Sequence, residues 1–472
     1  SCFFSCFNLR SVTLPSINTA TALSFLFYNC YQLEWVKFTS MPTIVSTISI
    51  QNGFDSCYNL QNVYFPATGT AGSIYNFQST FSYCIQLKSI VFPSNINVNS
   101  FGSTFSNCYA LTSCILPTSA AACTDYSNMF GACYSLLKIV LPTAPTATVS
   151  FQSLFNSCYK LQEVTIPSGY IVNNLVQAFI NCRSLKTISW TPGVQNSLTT
   201  MNIAFQACYL LTSFTMPTSM TALTTLTSTF LGCASLSSIT LPSSLNAVTS
   251  TDNCFNGCIS LTSVTLPTSM SACTNFTATF SGCFSLTSIT LPNTVGAVTT
   301  FQSCFTGCNS LKTCVLPGAA QLSLVTNIQN MFNACSNLVT LTNFDKIGSL
   351  TATPLINANS NTYARFTSGS AISFSGPLSG LALNGLQSNF KTDVQSVRLL
   401  NASAGQWTGS SPQINVSYTN MSTAQIVQLF NDMAAQGNVV SKTINITSAT
   451  GAAALTAADR LIVTSKGWTI TG

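Results

Sequence analysis

Histidine is absent from this 472-residue chain, and charge nearly so: 15 Lys and Arg with 9 Asp and Glu make up 5% of residues. A soluble domain usually carries about 25%. Without histidine, Ser-His-Asp and Cys-His nucleophiles and His-ligated zinc or haem are excluded. The nine carboxylates, among them Asp125, Glu163, Asp252 and Asp345, show no paired spacing for acid–base work. No enzyme is expected, and no cofactor is called for. A net charge of +6 from scattered basic residues cannot build the phosphate-neutralising stripe of a nucleic-acid binder. Long apolar runs are lacking too. Mean hydropathy is +0.38, yet Ser, Thr, Asn or Gly interrupts the apolar residues every few positions. The run of about 18 that a membrane span needs never forms. The opening Ser1-Cys2-Phe3-Phe4-Ser5-Cys6 has neither the basic nor the long apolar region of a secretion signal.

What is present is apolar and repetitive. Apolar residues make up 46% of the chain and cysteines number 21, which excludes a disordered chain. Fourteen cysteines, from Cys6 to Cys335, recur 24 to 27 residues apart. Each has Phe three residues before it and Leu three residues after it. An apolar alternation follows, usually closed by Pro: F-x-x-C-x-x-L-x-x-[VI]-x-L-P. Phe255, Cys258 and Leu261, then Phe280, Cys283 and Leu286, then Phe305, Cys308 and Leu311 are three successive copies of the expected core ladder.

The alternation after Leu reads as a short strand with one face buried, which Pro ends because it has no N–H for a ladder. Upstream, Val298, Phe301, Phe305 and Cys308 follow the face of a short helix, and Thr299 or Thr300 would cap it. The reading is an α/β solenoid over residues 1–350. It has about 14 coils, each a short helix plus a short parallel strand, stacked on a continuous core. Residues 351–472 lose the phase and read as a C-terminal α/β capping region. There, Ser422-Thr423-Ala424-Gln425 is a capping box and Thr456-Ala457-Ala458-Asp459 a similar helix start. Gly467 can end the second helix. Strands are expected at 397–400, 414–417, 443–446 and 468–470.

The sequence F-x-x-C-x-x-L before an apolar strand ending in Pro resembles the BspA-like, or Treponema-type, leucine-rich repeat over about Ser1 to Leu350. The resemblance implies a leucine-rich repeat rod that binds rather than catalyses. Its members are commonly bacterial surface proteins that attach to host matrix proteins or to other cells, and related repeats occur in phage and parasitic protists. The implied place is extracellular or at a cell surface, a virion included, and the implied partner is a protein or glycan on a cell surface. The alternative is a structural subunit of an extracellular filament, coat or virion fibre. Its motive is that Ser1 begins inside a coil, so either a missing N-terminal segment or, through head-to-tail contacts, another copy would cover the coil end.

The cysteines read first as small buried hydrophobes. Ladder neighbours also fall in disulfide range, so bridging is an alternative. A metal site lacks any C-x-x-C pair. The outward strand positions form two hydroxyl columns: Ser213 and Thr215, Ser238 and Thr240, Ser263 and Thr265, Ser288 and Thr290. Such columns keep a sheet soluble without charge, and they also suit glycan or protein recognition. A flat threonine array would further suit ice. The earlier coils are richer in charge and aromatics, and ligand contact is expected most at Trp35, Lys37 and Tyr64. The tyrosines that follow several repeat cysteines, such as Tyr31 and Tyr134, read as ligand contacts or as an edge of the core.

Overall fold

In the computed structural model the alternation after each repeat Leu folds as its two-residue period dictates. In the strand Trp35–Phe38, Trp35 and Lys37 face out while Val36 and Phe38 are buried. The strands stack in parallel, one repeat apart. Trp35 lies against Asn62, Val36 against Val63 and Lys37 against Tyr64. Glu163 lies against Lys138 on one side and Thr187 on the other. Ser288 lies against Thr313, and Thr313 against Thr340. Because register advances by whole repeats, like residues meet like. Phe81, Phe105 and Phe130 stack with ring centroids 5.5 and 5.3 Å apart, and Phe255, Phe280 and Phe305 at 5.5 Å. The solenoid has about 14 such turns.

Described are residues 2–342 except 18–21, 43–46, 68–72, 297 and scattered positions between 323 and 339. Beyond these are the strands Ala371–Phe374, Leu381–Ala382 and Ser396–Leu399 and residues 413–416, 421–433 and 443–472. The division expected at residue 350 lies outside them. By its contacts the chain divides into two compact units, Ser1–Pro242 and Ser243–Gly472.

Among the described residues the expected short helix immediately before the repeat cysteine is not there; the one short helix upstream of such a cysteine, Ala319–Leu322, ends well before Cys335. These segments are successive turns. Residues one and five positions before the cysteine have positive φ, such as Ala132 at 59° and Asn128 at 54°. Two left-handed residues in so short a stretch stop an α-helix. Backbone hydrogen bonding alternates instead. The N–H groups of Asn128, Phe130 and Ala132 donate to the carbonyls of Gln152, Leu154 and Asn156 on the next coil, at 2.8, 2.9 and 2.7 Å. Those of Met129, Gly131 and Cys133 close turns onto Tyr126, Asn128 and Phe130, at 3.2, 3.2 and 3.0 Å. The backbone groups thus find partners while Tyr126, Phe130 and Cys133 point inward. The apolar spacing of a helix face suits this chain equally well. Thr300 accordingly caps no helix. Its hydroxyl accepts the N–H of Gln302 at 3.1 Å, and Asp125 and Asn174 do the same for Ser127 and Val176, the usual side-chain device of a turn.

Hydroxyls also tie coil to coil. Thr112 donates to the Lys88 carbonyl at 3.0 Å, Thr224 to Thr199 at 3.0 Å and Thr268 to Ser243 at 3.1 Å. Buried Thr104 donates to the carbonyls of Phe77 and Phe101. Ser and Thr thereby satisfy carbonyls along the stack, a physical reason why the chain manages with so little charge.

All 21 cysteines are free thiols. Along the ladder, thiols donate to the carbonyl of the Phe one coil earlier: Cys133 to Phe105 at 3.2 Å, Cys158 to Phe130 at 3.1 Å, Cys283 to Phe255 and Cys308 to Phe280 at 3.1 Å. A small side chain with one weak donor fits that place. Bridging, the alternative raised by ladder spacing, is not the arrangement found. Burial pushes the Cys30 thiol up to about 11 and Cys123 and Cys273 up to about 12, so they stay protonated at neutral pH.

Near the C-terminus the helix-plus-strand coil does occur. Helices Thr423–Asp432 and Ala457–Thr464 start at the expected capping boxes, Ser422 with Gln425 and Thr456 with Asp459. Gly467, at φ 80°, follows the second. Lys466 Nζ donates to the carbonyls of Phe430 and Asn431 at 2.8 and 2.9 Å, satisfying the end of the first helix. The strands Leu381–Ala382, Gln413–Asn415, Thr443–Asn445 and Thr469–Thr471 form one parallel sheet.

Candidate recognition surface

Residues five and seven positions after the repeat cysteines from Cys30 to Cys283 point outward from the strand face. Neighbouring strands lie about 4.8 Å apart, and the two outward positions of one strand are about 6.7 Å apart. The face is therefore a lattice whose chemistry the sequence sets freely.

In the unit Ser1–Pro242 the expected contact residues come together. Lys37 and Tyr64 are register neighbours, and Trp35 shares the strand and face of Lys37. The same column then continues through residues that the sequence reading missed: Val91, Ile115 and Val140. Tyr64 is 51% exposed, Val91 55%, and Ile115 and Val140 61% each. Val91 lies directly against Ile115, and Val140 against Thr165. Leu137 adds a further exposed apolar side chain one position before Lys138. β-branched residues are ordinary in strands, which hides these three when strands are read one at a time. Aligning every coil on its cysteine would have exposed them, since the equivalent positions later are Thr215, Thr240, Thr265 and Thr290.

Those later positions behave differently. Ser213, Thr215, Ser238 and Thr240 are exposed and line one shallow depression, of about 450 Å³, with Phe214, Met216 and Leu241 at its base. The segment carrying Ser213 and Thr215 keeps its place in the stack, through Thr212 and Ser237, without forming a regular strand. In the unit Ser243–Gly472, Ser263, Thr265, Ser288 and Thr290 line a second depression, of about 310 Å³. The ladder residues Phe255, Cys258, Leu261, Phe280, Cys283, Leu286, Phe305, Cys308 and Leu311 are buried beneath.

The tyrosines after the repeat cysteines form stacks at the edge of the face. Tyr31 lies 5.0 Å from Tyr58, and Tyr134 lies 4.8 Å from Tyr109 and 4.9 Å from Tyr159. Arg183 covers the Tyr159 ring at 5.0 Å. Ring faces so occupied leave mainly edges and hydroxyls for other molecules. Among the described residues no cluster of three His, Cys, Asp or Glu side chains could hold a metal ion, and no helix is long and apolar enough to cross a membrane.

The model of the BspA-type leucine-rich repeat region matches residues 1–98, 51–186, 152–275 and 224–360, in six copies. The chain belongs to this family. Solved structures similar to this BspA-type chain include a leucine-rich repeat protein from Bacteroides ovatus, at 17% identity over 94% of this chain and 80% of that one, TM-score 0.36. A T. pallidum leucine-rich repeat protein is 27% identical over 37% of this chain and 77% of its own, TM-score 0.31. A leucine-rich cell surface protein from Faecalibacterium prausnitzii is 20% identical over 66% and 80%, TM-score 0.28. No curated protein matches.

Proposed function

We propose that this BspA-type chain is a non-catalytic recognition protein acting outside the cell or at its surface, and that it binds a protein ligand through the strand face of the Ser1–Pro242 unit. The observation that carries this reading is the exposed column Tyr64, Val91, Ile115 and Val140 beside Trp35 and Lys37. A contiguous apolar strip with polar surroundings is costly to leave in water and characteristically marks an interaction site, and aromatic anchors are enriched where binding energy concentrates. The hydroxyl columns from Ser213 to Thr290 serve solubility, with Ser and Thr replacing charge.

The test is binding of the purified, fluorescently labelled chain to cultured epithelial cells and to immobilised matrix proteins, with and without protease or glycosidase treatment of the target. Saturable, protease-sensitive binding is expected. Binding lost only to glycosidase would replace the protein ligand with a glycan. No saturable binding to any surface would overturn the reading.

A further inference from the structure

We infer that the apolar column Tyr64–Val91–Ile115–Val140 takes an acidic amphipathic α-helix of a partner protein, a conclusion that rests on the protein-binding reading of this face. Charge is the first argument. Lys37, Lys88 and Lys138 are exposed alongside the column. Between Trp35 and Val140 the other outward residues of these strands are neutral: Gln61, Asn62, Ser89, Thr112, Ser113 and Leu137. The nearby carboxylate Glu34 is tied to Arg10 at 3.1 Å, the one ion pair among the described residues. Asp55 and Asp125 are occupied elsewhere, with Ser56 and with the turn at Ser127. Glu163 is the direct register partner of Lys138, on the strand that follows the column's last member, Val140. In a chain that is 5% charged, three cations beside this exposed apolar column favour a partner carrying carboxylates around an apolar stripe.

Spacing is the second argument. The column repeats every ~4.8 Å, so its four side chains span roughly 14 Å. An α-helix laid along it presents apolar residues every turn, about 5.4 Å, and stays within about 2 Å of register over that span. An extended peptide presents one face every ~6.7 Å and is about 4 Å out of step by the third rung. A second copy of this chain is a poor occupant. Its described helices Thr423–Asp432 and Ala457–Thr464 each contain a single carboxylate, Asp432 and Asp459.

The test is a fluorescence-anisotropy titration of the full chain with labelled peptides of about 18 residues. One is a stapled helix with Leu every three or four residues flanked by Glu. The others are its scramble, a version with Lys for each Glu, and a proline-interrupted acidic peptide with alternating Leu. The acidic helix is expected to bind at least tenfold tighter than the other three, with affinity falling as salt rises. Lys37→Gln, Lys88→Gln and Lys138→Gln together should weaken it at least tenfold and flatten the salt dependence. The corresponding Lys→Arg variants should restore it at an unchanged unfolding midpoint. Equal or tighter binding by the scramble or the Lys version overturns the inference. Preference for the proline-interrupted peptide overturns the helix and leaves a protein-binding face. Failure of every peptide, while protease-sensitive cell binding persists, overturns the helix alone; loss of both removes the binding reading as well.

Discussion

The coils from Trp35 to Val140 and those from Ser238 to Thr290 have the same kind of interior and differ outside. Inward, both run Phe, Cys, Leu and a strand apolar residue, buried alike. Outward, the first set carries Trp, Lys, Tyr, Val and Ile, and the second Ser and Thr at every place. The repeat therefore constrains what faces the stack and leaves the solvent face free. On the reading proposed above, a departure from hydroxyl on that face serves recognition, because nothing in the core requires it.

The largest effect should be blind to the comparison. Phe105→Ala and Phe280→Ala each remove a ring stacked on two neighbours within 5.5 Å. Each should cost about 3–5 kcal/mol in urea unfolding. A much smaller loss in one set would break the claim of a common interior.

Alkaline pH should act on both sets as well. Burial raises the folded-state values of Cys123 and Cys273 to about 12 from an ordinary 9.0. Thiols raised in this way stabilise fully below pH 9, where both states are protonated. Above pH 9 the unfolded chain ionises first, so stability falls as pH climbs towards the folded values. Unfolding midpoints should be flat from pH 7 to about 8.5 and drop from about pH 9 upward. A flat profile to pH 10.5 would contradict the buried, protonated state of these thiols.

A smaller effect has a diagnostic sign. Gly282 has φ 71°, and a Cβ there would meet only Gly257 backbone atoms at 3.5 Å. Space is adequate, so Gly282→Ala should destabilise by about 1 kcal/mol through the left-handed backbone alone. Were this segment helical, the same change would stabilise it by roughly 0.5–1 kcal/mol.

That sign marks where the sequence was read well and where it was not. The parallel strands, the Phe–Cys–Leu ladder and the capping boxes at Ser422 and Thr456 were legible, because each depends on a pattern with one physical solution. The turns before the repeat cysteines were not. Val298, Phe301, Phe305 and Cys308 fit a helix face and a run of turns equally. The deciding signal lay in residues outside the apolar pattern: Gly257, Gly282 and Gly307, with Asn107 and Asn181, all one position before a cysteine. Glycine and asparagine are the residues that accept left-handed φ most readily. At the candidate site Trp35, Lys37 and Tyr64 stood out by type, whereas Val91, Ile115 and Val140 are ordinary strand residues whose exposure only the stacked register reveals.

The most direct measurement compares two surface variants in one cell- and matrix-binding assay: Val91→Thr/Ile115→Thr/Val140→Thr and Thr240→Val/Thr265→Val/Thr290→Val. Each exchange is β-branched for β-branched on an exposed strand position, so stability should move by no more than about 0.5 kcal/mol per site. The account requires the first variant to lose binding at least tenfold and the second to bind as the parent does. Undiminished binding by the first, or equal loss in both, would contradict it.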